Sequence, residues 1–434
     1  MPLPVTLRAL RYRNFQLFFS GQFISLIGTW MQNVAQAWLV YRLTRSSVLL
    51  GAIGFANQIP VFLLAPAGGL VADRFSRRTV VIATQAASML LALALAALTL
   101  THTVRIWHVF VLSALLGVVN AFDIPGRQAF IIEMVDRIDL MNAIALNSSM
   151  FNASRVLGPA IAGILVAKIG EGWCFFANGV SYVAVIIGLF LMRVEPRVLP
   201  ASASSVEHIL EGFRFVIESP AIHALLMMLG VVSLTGMPYT VLMPIFADRI
   251  LHGGAAAMGW LMGAAGVGAL AGALLLASRQ DLKGLSLWVA TSAVGFGAVL
   301  VVFSFSRNLY LSEALLVPIG FAMMIEMGSS NTLIQSMVPD HLRGRVMAVY
   351  SMMFMGMAPI GSVLAGVAAD RFGAPWTVAG GGILCMSAAG AFWTWLPKIR
   401  AHARRMIVAQ QMAAGLPAQE MTGGSVAIER AARD

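Results

Sequence analysis

Along this chain, runs of about 20 apolar residues are each closed by charge or turn residues, twelve times over, and this repetition constrains the fold more than any other feature. A bilayer core needs about 20 apolar residues per helical crossing, and backbone in lipid must satisfy its own hydrogen bonds, which leaves helices or closed barrels. The runs are continuous rather than alternating, so a barrel is excluded and an all-α integral membrane protein with twelve transmembrane helices is expected. Composition agrees: 59% of the 434 residues are apolar and 11% charged, against about 25% charge in a soluble domain. The windows place spans at 15–41, 48–72, 79–100, 106–130, 144–168 and 173–192, then at 220–247, 256–278, 285–305, 309–336, 345–369 and 375–396.

The net charge of +10 is not a nucleic-acid signal, because the basic residues lie in short loops and tails beside the apolar runs. With the N-terminus inside, seven of the 29 Lys and Arg fall outside, Arg155 lies within a span, and the rest are cytoplasmic. Both termini are therefore expected in the cytoplasm. The basic start lacks a cleavage site, which predicts an uncleaved first helix. Cys174 and Cys385 have no metal spacing and read as buried apolar residues; no metal site and no cofactor are expected.

The chain divides into an N-terminal six-helix bundle (1–192), a cytoplasmic linker (193–219), a C-terminal six-helix bundle (220–397) and a partly disordered tail (398–434). In the linker, Val206, Ile209, Leu210, Phe213 and Ile217 recur at helical spacing opposite Glu207, Glu211, Arg214 and Glu218, as in an amphipathic helix on the membrane surface. The bundles are related to each other. Gly158, Gly163 and Gly170 recur 203 residues later as Gly361, Gly366 and Gly373, in register with Ser148, Met150 and Phe151 recurring as Ser351, Met353 and Phe354. Earlier in each half the offset is 208, pairing Gly28 with Gly236, Gly51 with Gly259 and Asp73 with Asp281. Six spans plus six is the layout of a transporter whose halves rock about a central site.

A charged residue in a bilayer is costly unless paired or wet, so the few inside spans are the first functional candidates. Asp123 and Glu326 differ by 203 and should lie at equivalent depths. Asp123 is expected near Arg77, in a structural or a proton-coupling role. Glu326 is expected either to stabilise a gate with Lys283 or Arg279, or to carry a proton. Glu313 either reaches headgroups or forms an outer proton or cationic-substrate site. Arg155 either pairs with Asp123 or Asn120 or meets an anionic substrate. In the first span Gln22, Ser25, Thr29, Asn33 and Gln36 share one helical face and are expected to line the cavity, or else to bond between helices; Asn120, Tyr239, Thr240 and Asn331 join them. Methionines of the tenth and eleventh spans, Met323 and Met353 among them, suit either a cavity for varied amphipathic molecules or plain packing. Pro60, Pro66, Pro159, Pro318 and Pro359 are expected to bend their helices.

The loop after the second span, with Gly69, Asp73, Arg74, Arg77 and Arg78, resembles the signature loop of the major facilitator superfamily, with Ser76 where a second glycine is usual. Gly158, Pro159 and Gly163 in the fifth span are similar to that superfamily's antiporter-type motif, with Ala162 replacing one glycine. The stretches Asn120 to Gln128 and Phe151 to Pro159 resemble the branch of enterobactin exporters and macrolide efflux pumps. The resemblance covers the chain to about residue 398 and implies the major facilitator fold, export, and a cytoplasmic latch. In that latch Asp73 meets the start of the eleventh span near Arg345, Arg77 meets Asp123, Arg127 and Asp281 take part, and Gly158, Pro159 and Gly163 set helix packing. Drug/proton antiporters usually carry an arginine where this chain has Ser113, which removes the residue such coupling would use.

The chain has neither a phosphate-binding loop nor a nucleophile with an orienting acid, so ATP hydrolysis and enzymatic chemistry are not expected. The expected activity is export of an amphipathic small molecule, siderophore or drug-like, by a monomer using the proton gradient. A lipid or lysophospholipid flippase and a non-transporting sensor are the alternatives.

Overall fold

Each apolar run folds as a long helix, because in lipid the i to i−4 ladder is the one local way to satisfy every backbone group. The computed structural model describes residues 5–193, 206–279 and 284–413. After a 3-10 helix at Val5–Arg11, the first half contains α1 (Arg13–Thr44), α2 (Ser47–Arg74), α3 (Arg77–Leu100), α4 (Ile106–Phe130), α5 (Leu140–Ile169) and α6 (Glu171–Leu191). The linker helix α7 (Val206–Glu218) follows. The second half contains α8 (Pro220–Val231), a short α9 (Met243–Ile245), α10 (Gly254–Ala277), α11 (Leu285–Phe305), α12 (Leu309–Met337), α13 (Asp340–Phe372) and α14 (Ala374–Ala413).

Among the described residues, eleven helical segments are long and apolar enough to cross a membrane. The twelfth crossing is α1, whose 32 residues are long enough but whose polar face lowers its hydropathy. Two boundaries differ from expectation. The last helix continues past the span to Ala413, and the seventh span is not one α-helix. That span passes from α8 into π geometry (Val232–Gly236), a 3-10 turn (Met237–Thr240), α9 and a second π turn (Phe246–Ile250). Pro238 and Pro244 remove the N–H groups that a regular ladder needs there.

The sequence repeat is visible in the geometry. α3 and α11 start 208 positions apart, at Arg77 and Leu285, while α4 and α12 start 203 apart, at Ile106 and Leu309. Gly170 and Gly373 end α5 and α13 with φ of 90° and 84°, left-handed values that favour glycine. Helices of each half pack mainly on one another, and the halves meet along two seams, α5 with α10 and α2 with α13.

The seams are themselves repeat-related. A Cβ on Gly259 would lie 2.5 Å from the Cα of Gly163, and one on Gly51 would lie 2.3 Å from the carbonyl oxygen of Ser362. Only glycine permits such backbone contact.

Candidate functional site

A cavity of about 380 Å³ opens between the halves. From the first half α1 supplies Trp30, Asn33 and Gln36, α2 supplies Asn57 and Gln58, and α5 supplies Arg155 and Pro159. The broken part of the seventh span supplies Met237, Tyr239, Thr240 and Val241, and α10 adds Met258 and Met262. Irregular backbone at membrane depth is tolerated where it lines a cavity, which explains why the span breaks here. Gln36 donates to Ser113 Oγ at 2.9 Å, and the Asn57 amide reaches the Ser113 carbonyl at 3.4 Å. Ser113 is thus a buried acceptor joining α1, α2 and α4.

Arg155 is placed differently from expectation. Neither Asp123 nor Asn120 is its partner. Its guanidinium lies over the Trp30 ring at 5.7 Å and reaches the Met323 sulfur at 3.9 Å. Among the described residues no carboxylate lies within ion-pairing distance of it. Tyr239, 2% exposed, presents a hydroxyl with no hydrogen-bond partner.

The polar face of α1 is shared between two spaces. Gln36 lines the central cavity and Asn33 touches both spaces, whereas Gln22, Ser25 and Thr29 face a separate cavity of about 110 Å³ inside the first half. Asn120 and Arg127 line that inner space too, so Gln22, Thr29 and Asn120 are not central-cavity residues. Asn331 accepts from Gln335 at 2.5 Å and does not line the central cavity. The cavity methionines come from the seventh and eighth spans, while Met353 packs on Gly230. A helical stripe shows which residues share a face but not which neighbour that face meets, and Pro238 is the sequence signal for the break.

The two buried acids sit at matching places with unequal surroundings. Asp123 accepts from Thr84 Oγ1 and Gln85 Nε2 at 2.8 Å each, and Arg127 Nε lies 3.5 Å away. The repeat positions of Gln85 and Arg127 are Ala293 and Ser330, so Glu326 has lost the amide and the cation. Glu326 is fully buried, and among the described residues it accepts only from Ser330 at 3.4 Å and its other oxygen has no partner. Arg279 stacks on Trp288 at 4.2 Å, Lys283 lies outside the described residues, and Glu313 is half-buried one turn into α12.

The expected latch is arranged differently. Arg77 does not reach Asp123; it bonds Glu133 at 3.0 Å and the Ala129 carbonyl at 3.1 Å, joining α3 to the end of α4. Arg78 donates to the carbonyls of Leu189 and Phe190 at the C-terminus of α6, where free carbonyls favour a cation. Arg74 is exposed, and a Cβ on Gly69 would meet nothing within 4 Å. Arg345 pairs with Glu211 on the linker helix, which docks α7 on the start of α13. The Asp73 side chain and Asp281 lie outside the described residues, so their expected contacts carry no description. A Cβ on Gly158 would lie 2.4 Å from Trp30 Cβ and 2.8 Å from the Ile27 carbonyl.

Two ionic clusters were not foreseen. At the end of the bundle remote from the chain termini, Tyr41 donates to Asp248 at 2.8 Å, Arg45 pairs with the same carboxylate, and Arg249 reaches the Arg45 carbonyl, tying α1 to the seventh span. At the other end, Arg8, Arg11 and Tyr12 converge on buried Asp139 and seat the 3-10 helix on the start of α5.

A profile of the transmembrane secretion effector family matches residues 5–428. The staphyloferrin A transporter of Staphylococcus aureus (strain NCTC 8325 / PS 47) is 26% identical over 82% of this chain and 89% of its own. The multidrug efflux pump Tap of Mycolicibacterium fortuitum is 28% identical over 78% and 85%, and the enterobactin exporter EntS of Shigella flexneri 24% over 81% and 84%. The crystal structure of the nucleoside transporter NupG superposes with a TM-score of 0.69 at 12% identity, covering 88% of this chain and 99% of that one, a likeness of fold alone.

Proposed function

Because the chain belongs to the transmembrane secretion effector family of major facilitator transporters, we propose that it exports an amphipathic small molecule, siderophore or drug-like, by alternating access with proton antiport. The observation that carries this reading is the central cavity, with walls drawn from both halves and with methionine, tryptophan and polar groups mixed in its lining. Two six-helix bundles at 1–192 and 220–397 act as the rocking bodies, the linker at 193–219 couples them, and 398–434 is a tail. The positive-inside bias supports cytoplasmic termini in a bacterial inner membrane. The Tyr41–Asp248–Arg45 cluster then lies outside and the state is inward-facing, which accounts for the open space at Gly69. The cavity lies within one chain, in keeping with a monomer.

Glu326 is the proton carrier in this reading. An ionised carboxylate without a partner is costly at membrane depth, and Glu326 has lost the counterparts of the Gln85 amide and the Arg127 cation that hold Asp123. Asp123, held by Thr84, Gln85 and Arg127, is structural.

The test is transport in inverted vesicles, following a panel of neutral and ionic amphipathic compounds with and without an imposed proton gradient. Gradient-dependent accumulation of at least one is expected, and its absence for all of them refutes export. Glu326→Gln is expected to abolish the gradient dependence while leaving downhill exchange; persistence of the dependence removes Glu326 as carrier. Lipid transfer has one observation in its favour, an apolar groove of about 750 Å³ beside α13 and α14 lined by Leu364, Phe372 and Trp376. Directional transfer of labelled phospholipid without flux of the panel would establish it.

A further inference from the structure

Resting on the export reading, we propose that Arg155 and Tyr239 form an anion-binding subsite that holds the carboxylate of the cargo, with its apolar body against Trp30, Met258 and Met262. The first observation is Arg155 itself. A guanidinium has five N–H donors and a fixed charge. At this depth a cation is costly to retain unless something neutralises it. Its contacts here are a thioether sulfur and the face of an indole, which stabilise a cation without cancelling its charge. No Asp or Glu lines the cavity among the described residues.

The second observation is independent of the first. Tyr239 is almost wholly buried, and its hydroxyl has no acceptor. Leaving a buried donor of this kind unpaired is destabilising. The 3-10 turn at Met237–Thr240 places Tyr239 on the cavity wall, and the two side chains belong to opposite halves. A carboxylate accepts two hydrogen bonds on separate oxygens, so one group can satisfy the guanidinium and the phenol together. A cation would meet Arg155 unfavourably, and a neutral ligand would leave its charge unanswered. Since the two donors come from different halves, the bound carboxylate bridges them.

The geometry also orders the rest of the ligand. Asn33, Gln36, Asn57 and Gln58 offer amides to polar substituents, whereas Trp30, Met258 and Met262 offer apolar surface. The class selected is an amphipathic carboxylic acid.

The test uses a pair of fluorescent probes that differ in charge alone, dansylglycine and its amide dansylglycinamide. Binding to the purified full-length protein is read by energy transfer from tryptophan. The wild type is expected to prefer the carboxylate by about tenfold or more. Arg155→Gln should abolish that preference while leaving amide affinity within about twofold, and Tyr239→Phe should reduce it by several-fold. Retained amide binding shows that a variant is folded. Equal wild-type affinity for the two probes overturns the proposal, as does a preference that survives Arg155→Gln or a carboxylate that does not bind. Flux of neutral panel members in vesicles would in those cases leave the export reading standing, whereas loss of all flux would remove the export reading itself.

Discussion

Gly259→Ala tests whether the α5–α10 seam holds the halves in the observed state. The new Cβ would sit 2.5 Å from Gly163 Cα and 2.6 Å from the Pro159 carbonyl. Carbon–carbon contacts prefer about 3.5–4.0 Å, so the helices must part by roughly 1 Å. Overpacking of this kind costs about 1–3 kcal/mol. Alanine recovers roughly 0.5–1 kcal/mol by its better helix propensity, in either conformation. Because the contact joins the halves, the strain falls on the state in which the seam is closed, whereas the propensity gain cancels between states, so the equilibrium shifts toward seam opening by about 1–3 kcal/mol, or roughly 5–150-fold. The assay is pulsed electron resonance between spin labels at Thr103→Cys and Arg307→Cys, on loops of opposite halves; the native cysteines are buried. A longer distance should grow at the expense of the shorter. Gly295→Ala, where a Cβ meets nothing within 4 Å, is the control and should leave the distribution unchanged. An unchanged distribution in Gly259→Ala, with the protein folded, would refute the reasoning.

Gly158→Leu is expected to cost more than about 3 kcal/mol, because its side chain is driven into Trp30 and the Ile27 carbonyl in the same half; a large fall in thermal stability of the detergent-solubilised protein is the measurement, and a normal melting temperature counts against it. Asp248→Asn removes the negative charge shared by Tyr41 and Arg45 while keeping an acceptor oxygen. Exposed ion pairs are worth about 0.2–1 kcal/mol, so the same distance measurement should register a shift of no more than about fivefold toward opening. Gly69→Val meets open space here and should leave stability intact, yet it should slow turnover if this end of α2 closes on a neighbour in the opposite state; unchanged flux would show that no such approach occurs.

The helices were legible because lipid leaves the backbone so few choices, and the two-fold relation because Gly163 and Gly366 sit at the seams, where nothing larger fits. The partners of the charged residues were not. Asp123 and Arg77 lie on suitable helices, but the choice of Thr84, Gln85 and Glu133 depends on rotations that periodicity does not encode. Arg155 is a lone charge in the sequence; that its company is Trp30 and Met323 depends on the packing of α1 against α5 and on the reach of its side chain to α12. The broken seventh span was written in Pro238 and Pro244, residues whose effect is local and readable. The cluster at Asp139 was hidden because its arginines look like ordinary membrane-flanking charge.

The polar first helix has a consequence for how the chain is made. Of the crossings described, α1 is made before the others, yet it is the one least suited to lipid, and its polar groups find their partners on a helix synthesised much later: Gln32 with Asn178 at 2.7 Å, Arg42 with Glu171 at 2.8 Å. Its hold on the bilayer is therefore provisional until α6 arrives. We predict that a nascent chain halted before Glu171 keeps α1 in the aqueous insertion channel, and that one halted after Leu191 does not; equal lipid crosslinking of α1 at both lengths would rule this out.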